Sequence, residues 1–123
     1  MKRFASHRLY IPRLDLMLVN NVVEIDSISR EVLSYYPFVE EIPFTEWLNG
    51  LIVLSADVPV LYNGNQYNIH NPSTTVLYID SDKKIRSVLP VNADKVPLKA
   101  YYITLFNVSE MRFHEDTRVV QLF

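Results

Sequence analysis

The chain has 123 residues, no cysteine and a formal net charge of -2. This length is typical of one domain that buries a single core, and the lack of cysteine excludes disulfides, thiol chemistry and cysteine-ligated zinc. The 12 basic and 14 acidic side chains are scattered, so no basic stripe supports binding to nucleic acid or to an anionic membrane.

Two strands are predicted at the start of the chain. Ala5–Ile11 alternates between two faces and is stopped by Pro12. Leu14–Val19 is followed by Asn20-Asn21, a pair that tolerates the positive φ of a turn. The basic start leads into no apolar block of signal-peptide or membrane-helix length, so we expect a cytoplasmic protein.

A hairpin and a short strand are predicted next. Val22–Asp26 and Glu31–Tyr36 are rich in β-forming residues and are separated by a polar segment. Pro37 and Pro43 restrict Phe38–Ile42 to a short or edge strand, because proline cannot donate to a β-ladder.

The most apolar stretch follows Trp47, the only tryptophan. Thr45–Leu48 is predicted to form one helical turn with Thr45 as its N-cap, closed by Asn49-Gly50. The uninterrupted run Leu51–Leu54 is typical of a strand buried on both faces. We expect this strand to be the structural centre of the domain, with Trp47 covering one end of the core.

Two further hairpins are predicted in the second half of the chain. Val58–Tyr62 leads into Asn63-Gly64, the preferred type I′ turn, and then into another β-forming run. Thr74–Asp80 and Ile85–Val91 flank the polar turn Ser81–Lys84.

The chain closes with two apolar runs, Leu98–Val108 and Thr117–Phe123, and the second is expected to pack against the domain. Strand signals recur about every ten residues, without a convincing amphipathic helix. We therefore predict one all-β domain over residues 1–123. Its expected fold is an antiparallel β-sandwich or barrel-like domain, with at most one short helical turn near Thr45–Leu48.

The histidines do not indicate a metal site. His7, His70 and His114 lie far apart in the sequence, and none has a histidine partner at a ligand spacing. His114-Glu115-Asp116 places an imidazole beside two carboxylates, as a general base requires. Adjacent residues of a strand face opposite sides, however, so a solvated turn explains this triplet better.

Other catalytic and ligand-binding motifs are also missing. Asp80-Ser81-Asp82 begins like a calcium loop but lacks its glycine and its terminal glutamate, so we expect turn-forming aspartates. With only Gly50 and Gly64, the chain cannot build a glycine-rich phosphate loop. We assign no catalytic, cofactor-binding or metal-binding residue, which favours a protein that is not an enzyme.

The aromatic residues allow two interpretations. They could line a face that binds a sugar or a peptide, because an aromatic ring with a polar tip suits an interface. They could instead pack in the core or across strands, which we favour because tyrosine is a common strand residue. The residues concerned are Tyr35-Tyr36, Tyr62, Tyr67, Tyr101-Tyr102 and Trp47.

The first half of the chain resembles a known family. Four stretches carry the resemblance: Ala5–Pro12, Val22–Asp26, Val32–Tyr36 and Trp47–Val53. Their order and spacing are similar to the N-terminal β-segment of amidohydrolase-superfamily enzymes. In that family the segment belongs to the composite domain, a small β-sandwich beside a metal-binding (β/α)8 barrel. The resemblance covers residues 1–55 and implies a stand-alone relative of the composite sandwich.

The family's catalytic residues are not carried over. In the family a turn similar to Pro-Gly-Leu-Ile leads into Asp-x-His-x-His, whose histidines bind metal. Here the corresponding turn, Asn49–Ile52, leads through Val53-Leu54 into Ser55-Ala56-Asp57 and lacks the two histidines. A barrel also needs at least about 200 residues, more than this sequence provides.

Three functions are compatible with the sequence. The leading hypothesis is a non-catalytic β domain that acts through protein contacts or as a homo-oligomer, because high apolar content occurs without catalytic motifs. The second is a small-molecule or carbohydrate-binding module that uses surface tyrosines and Trp47. The third is a degenerate amidohydrolase-like fragment, which predicts a bound metal.

Overall fold

The computed structural model describes residues 1–40, 44–62, 72–91, 96–106 and 109–123. Within these ranges the predicted all-β class is confirmed. In chain order the strands are β1 (Lys2–Ile11), β2 (Leu16–Ile25), β3 (Val32–Pro37), β4 (Thr45–Ser55), β5 (Val60–Leu61), β6 (Val76–Ile79), β7 (Ile85–Val88), β8 (Lys99–Ile103) and β9 (Val119–Gln121).

The strands form two sheets. Six strands make one open sheet in the order β3-β2-β1-β4-β8-β9, and β5, β6 and β7 make a smaller sheet. Both sheets are mixed, since β1 runs parallel to β4 and β5 runs parallel to β6. The prediction of an antiparallel fold is corrected at these two pairs. Consecutive neighbouring strands that a tight turn joins run antiparallel. After β3, at one edge of the sheet, the chain crosses to the side of β1 opposite β2 and adds β4 there, so β4 is not a neighbour of β3.

Two of the predicted hairpins are present. β2 pairs antiparallel with β3, and β6 pairs antiparallel with β7. The two closing apolar runs contain β8 and β9, each shorter than its run. The predicted Asn63-Gly64 turn lies outside the described residues, as do residues 41–42 of the predicted short strand.

The predicted helical turn at Thr45–Leu48 is wrong, because these residues begin β4. Trp47 pairs with Ala5 of β1, and this pairing supplies backbone hydrogen bonds that an isolated helical turn cannot match. Among the described residues, helical geometry is limited to a 3-10 turn at Pro12–Leu14, which ends at Asp15 with φ 47. No helix in these ranges has the length and apolar character needed to cross a bilayer.

β1 and β2 exchange the faces of their side chains half-way along. Phe4 and Leu9 of β1 enter the same core, although their odd spacing would place them on opposite faces of a regular strand. Their β2 partners, Val23 and Leu18, do the same. Asn20 lies between those partners with φ 51, a local break in the extended backbone. The asparagine pair predicted as a turn therefore twists a continuous strand.

β4 accommodates this exchange with one extra residue. Ser6 of β1 pairs with Leu48 and Arg8 pairs with Leu51, so three steps of β4 oppose two steps of β1. Gly50 lies in this bulge at φ 107, a conformation that side chains with a Cβ rarely adopt. The glycine predicted to close a helical turn is therefore a bulge residue.

Two apolar cores lie on the two faces of the larger sheet. The larger sheet curls around the inner core, and the N–H of Val32 at its β3 edge donates to the Leu98 carbonyl before β8 at 2.8 Å. The intersheet core lies between the two sheets. Leu51–Leu54 contributes alternately to both cores and is fully buried, as predicted. The inner core contains Phe4, Leu9, Ile11, Val23, Ile25, Ile52, Leu54, Ala100 and Leu122, and the intersheet core contains Tyr10, Leu51, Val53, Leu77, Ile85, Ile103, Phe106 and Phe113.

Candidate functional site

The histidines named in the sequence are not brought together. His7 is exposed on β1, and His114 is exposed in a turn closed by a hydrogen bond from the Thr117 N–H to the His114 carbonyl. The solvated turn predicted at residues 114–116 is therefore confirmed. His70 lies outside the described residues. In the part of the chain that the structure describes, no group of three or more histidine, aspartate or glutamate side chains could hold a metal ion.

Asp80 is a turn-forming residue, as predicted. Its Oδ1 atom accepts hydrogen bonds from the backbone N–H groups of Asp82 and Lys84, both at 2.9 Å. Lys83 between them has φ 60. The hydrogen bond from the Lys84 N–H, together with Arg86, holds the pKa of the Asp80 carboxyl below its ordinary value.

The tyrosines in the described ranges do not form one surface. Tyr35 and Tyr36 are adjacent in β3 and so face opposite sides. Tyr101 is buried with 2% exposure, and the Tyr102 hydroxyl donates to the Asn49 carbonyl at 2.5 Å. Tyr62 follows β5 in the smaller sheet, and Tyr67 lies outside the described residues. Packing therefore accounts for Tyr101, and the described tyrosines do not share one binding platform.

Trp47 lies on an exposed face of β4. It does not cover an end of the core as predicted, because 40% of the residue is exposed. The His7 ring meets the Trp47 ring edge-on at 4.9 Å, and the Phe38 ring meets it edge-on at 5.6 Å. We call His7, Phe38 and Trp47 the Trp47 surface.

Further apolar residues adjoin this surface along the chain. Val39 follows Phe38 and is 87% exposed, and Phe44 precedes β4 and is 93% exposed. Neither of these side chains belongs to the inner core or to the intersheet core. Several large apolar groups are therefore left in contact with water at one end of the larger sheet.

A polar network borders the Trp47 surface on the same face of the sheet. Glu24 accepts a hydrogen bond from Arg3 Nε at 2.8 Å and another from Ser34 Oγ at 2.7 Å. The hydrogen bond from Ser34, supported by Arg3, lowers the pKa of Glu24. This border carries one positive and one negative charge.

A second candidate site is a cleft of about 350 Å³ where the smaller sheet meets the larger one, which we call the intersheet cleft. The Tyr10 hydroxyl donates to Asp15 Oδ1 at 2.8 Å and lies 3.1 Å from Ser87 Oγ. Arg86 donates from Nη1 to Asp15 Oδ2 at 2.5 Å and from Nε to Asp80 Oδ2 at 3.1 Å. The lining residues are Tyr10, Asp15, Met17, Lys84, Ile85, Arg86 and Met111.

Tyr10 is kept protonated by its surroundings. The residue is 1% exposed. Desolvation by burial is the main cause that raises the pKa of its hydroxyl far above the ordinary value, and Asp15 adds to the effect. The hydroxyl therefore acts as a hydrogen-bond donor in the cleft at neutral pH.

A third polar cluster follows β4 at the junction of the two sheets. Ser55 Oγ donates to Thr75 Oγ1 at 3.2 Å, and the Thr75 N–H donates to both carboxylate oxygens of Asp57 at 3.2 Å. Ser55 and Thr75 are almost fully buried. These bonds connect the end of β4 to the start of β6 and therefore join the two sheets.

Sequence reasoning missed the intersheet cleft. Tyr10 and Ser87 are 77 positions apart, and no local motif marks either of them. Asp15 was placed inside a predicted strand, whereas it lies with a positive φ in the turn before β2 and lines the cleft. The positive φ of Asp15 is visible only in the structure, so the sequence gives no local signal for this site.

No protein-family model, curated protein or solved structure significantly matches this chain. The resemblance of residues 1–55 to the composite domain of amidohydrolases therefore stays a prediction.

Proposed function

We propose that this chain is a non-catalytic β domain that self-associates through the Trp47 surface. The observation that carries the proposal is the edge-to-face cluster of Trp47 with His7 and Phe38, three exposed or half-buried residues that belong to neither apolar core. Exposed apolar clusters of this kind are typical of protein interaction sites. Tryptophan is also one of the residue types enriched among the energetically dominant positions of interfaces.

The border of the surface is compatible with a second copy as the partner. In a two-fold interface the same patch of each copy meets the other, so the positive group of one copy can face the negative group of the second. Arg3 and Glu24 carry opposite charges and lie 2.8 Å apart, so two copies approach without net like-charge repulsion at this border. Phe44 and Val39 would lose their contact with water in the dimer, which favours association.

The only tryptophan of the chain provides a direct assay. We expect its fluorescence emission to shift to shorter wavelength as protein concentration rises, because association transfers Trp47 from water to an apolar contact. Light scattering after size exclusion should show the mass rising over the same concentration range. A strict monomer with a constant emission spectrum at high concentration would overturn self-association.

Matched variants locate the interface. Phe38→Ala removes an aromatic contact of Trp47 but keeps the fluorophore, and it should move the association to higher concentration. Tyr35→Ala removes an exposed aromatic side chain of β3 that is 37% exposed and does not belong to the Trp47 surface, so it should leave association unchanged. Equal effects of the two variants would show that the interface lies elsewhere.

The two other hypotheses have less support from the geometry. A binding module built on several tyrosines needs them on one face, and the described tyrosines are divided between the two sheets and their faces. The degenerate hydrolase fragment predicts bound zinc, iron or manganese, and metal analysis of the purified protein tests it. A cytoplasmic location stays a prediction from the sequence.

A further inference from the structure

We infer that the intersheet cleft binds a small amphipathic carboxylate, such as a short-chain fatty acid. This inference concerns a site separate from the Trp47 surface and does not depend on self-association. It rests on the shape of the cleft, on the apolar side chains of its walls and on the cationic groups at its rim.

The size and the walls of the cleft suit the aliphatic part of such a ligand. Its volume of about 350 Å³ lies within the range of about 300–1,000 Å³ that is usual for ligand pockets. Met17 of β2, Ile85 of β7 and Met111 in the segment before β9 line it. Methionine side chains are flexible and adapt to apolar ligands of different shape. An aliphatic chain would find apolar contacts on more than one side.

The polar groups of the cleft favour an anion as the head group. Both oxygens of Asp15 already accept hydrogen bonds, one from Tyr10 and one from Arg86. Arg86 uses Nη1 and Nε for its two carboxylate partners, and within the described part of the chain its Nη2 amino group has no acceptor. A guanidinium has five N–H donors and no acceptor. The cleft therefore contains N–H donors of Arg86 that remain available to a ligand.

Lys84 supplies the charge that a carboxylate needs. It lines the cleft at the end of the turn before β7, and it forms no ion pair with any of the described residues. The residues that line the cleft carry two positive charges, on Lys84 and Arg86, and one negative charge, on Asp15. Arg86 pairs with Asp15 and with Asp80 outside the lining, so Lys84 is the lining cation without an ion pair among the described residues. A ligand with a carboxylate at one end and a short hydrocarbon at the other satisfies both parts of the site. A sugar would lack the anion, and an aliphatic amine would meet Lys84 with like charge.

The three methionines provide a specific readout. Met17 and Met111 line the cleft, whereas Met1 lies at the other end of β1, where its amino group donates to Ser27 Oγ. With ¹³C-methyl-labelled methionine, we expect hexanoate to shift the NMR signals of Met17 and Met111 and to leave that of Met1 in place. Hexanol should bind more weakly and hexylamine most weakly, because they share the chain but not the anionic head.

Two neighbouring lysines allow a matched pair of variants. Lys84→Gln should weaken hexanoate binding about threefold to fivefold, the value of one partly exposed ion pair, and should leave hexanol binding unchanged. Lys83→Gln changes the adjacent residue of the same turn, which does not line the cleft, and should have no effect on the shift of Met17. Lys83 lines a neighbouring hollow that shares Met111 with the cleft, so Met17 is the reporter specific to the cleft. Three results would overturn the inference: a Met1 shift as large as the other two, hexylamine binding as tightly as hexanoate, or no shift of Met17 and Met111 at millimolar hexanoate.

Discussion

Arg86 Nη1 lies 2.5 Å from Asp15 Oδ2, and this ion pair connects β7 of the smaller sheet to the turn that follows β1 of the larger sheet. The buried Tyr10 hydroxyl donates to the other oxygen of the same carboxylate and lies within hydrogen-bond distance of Ser87 Oγ in β7. The packing of the two sheets therefore depends on a small polar network as well as on the intersheet core.

Tyr10→Phe should lower the free energy of unfolding by about 1–2 kcal/mol, because it removes one buried hydroxyl and leaves two partners without its hydrogen bonds. Urea denaturation monitored by circular dichroism measures the change. Tyr35→Phe is the matched control, because Tyr35 is exposed on β3 and losing its hydroxyl should leave the free energy of unfolding almost unchanged. Equal stability of the Tyr10 and Tyr35 variants would contradict the role of the network.

Alkaline pH should destabilise the protein through the same residue. The pKa of Tyr10 is raised in the folded state, so the folded protein keeps a proton that the unfolded chain releases above its ordinary pKa of about 10. The stabilisation is complete below pH 10 and decreases as the pH rises towards the folded pKa. Urea midpoints at pH 8 and pH 11 should differ less for Tyr10→Phe than for the wild type. Burial also raises the pKa of Tyr101, so part of the alkaline loss should persist in the variant.

Gly50→Ala should destabilise the protein by about 1–3 kcal/mol, the cost of holding a residue with a Cβ in a strained backbone conformation. The added Cβ would lie 3.6 Å from the Phe106 carbonyl oxygen, an ordinary contact, so backbone strain at φ 107 and not a clash is the cause. Asn49→Ala is the control because Asn49 is exposed in the same bulge without a positive φ. Thermal unfolding compares the two, and an equal effect would show that the bulge tolerates any residue.

Acid should weaken the turn between β6 and β7. The pKa of Asp80 is lowered in the folded state by the Lys84 N–H and by Arg86, so its contribution to stability is present above the unfolded pKa of about 4 and is lost as the pH falls through the folded value. Asp80→Asn keeps an acceptor for the turn but removes the charge. Its urea midpoint should lie below that of the wild type at pH 7, and the difference should narrow at pH 3.

The control for this experiment is Asp82→Asn in the same turn. Asp82 is exposed and donates its backbone N–H to Asp80, and no described donor bonds to its carboxylate. Its urea midpoint should follow that of the wild type at both pH values. A constant deficit of Asp80→Asn from pH 7 to pH 3 would show that the charge of Asp80 is irrelevant to stability.

Local sequence patterns were sufficient where neighbouring residues decide the structure. Alternation and turn chemistry located β1 and the β6–β7 hairpin, and continuous hydrophobicity identified Leu51–Leu54 as a strand buried on both faces. The aspartate turn at Asp80 was predicted because a short carboxylate side chain bonds its own backbone two residues on. None of these predictions required a distant partner.

The predictions failed where a distant strand changed the meaning of a local signal. Asn20 and Gly50 are typical turn residues, and both do adopt positive φ. Sequence cannot distinguish a positive φ that reverses the chain from one that twists a strand, because only the pairing of β1 with β2 and β4 keeps the backbone extended on either side. The helical turn predicted at Thr45–Leu48 was wrong for the same reason, because pairing with β1 holds these residues in a strand.

The sequence by itself determined the all-β class, the strand at the centre of the domain and the lack of recognised catalytic motifs. The tertiary structure decided the parallel pairing of β1 with β4, the exposure of Trp47 and the convergence of Tyr10, Asp15 and Arg86. The physical reason is separation along the chain. Residues 71 positions apart, such as Asp15 and Arg86, leave no periodic trace in the sequence, and only the packing of one sheet on another brings their charges together.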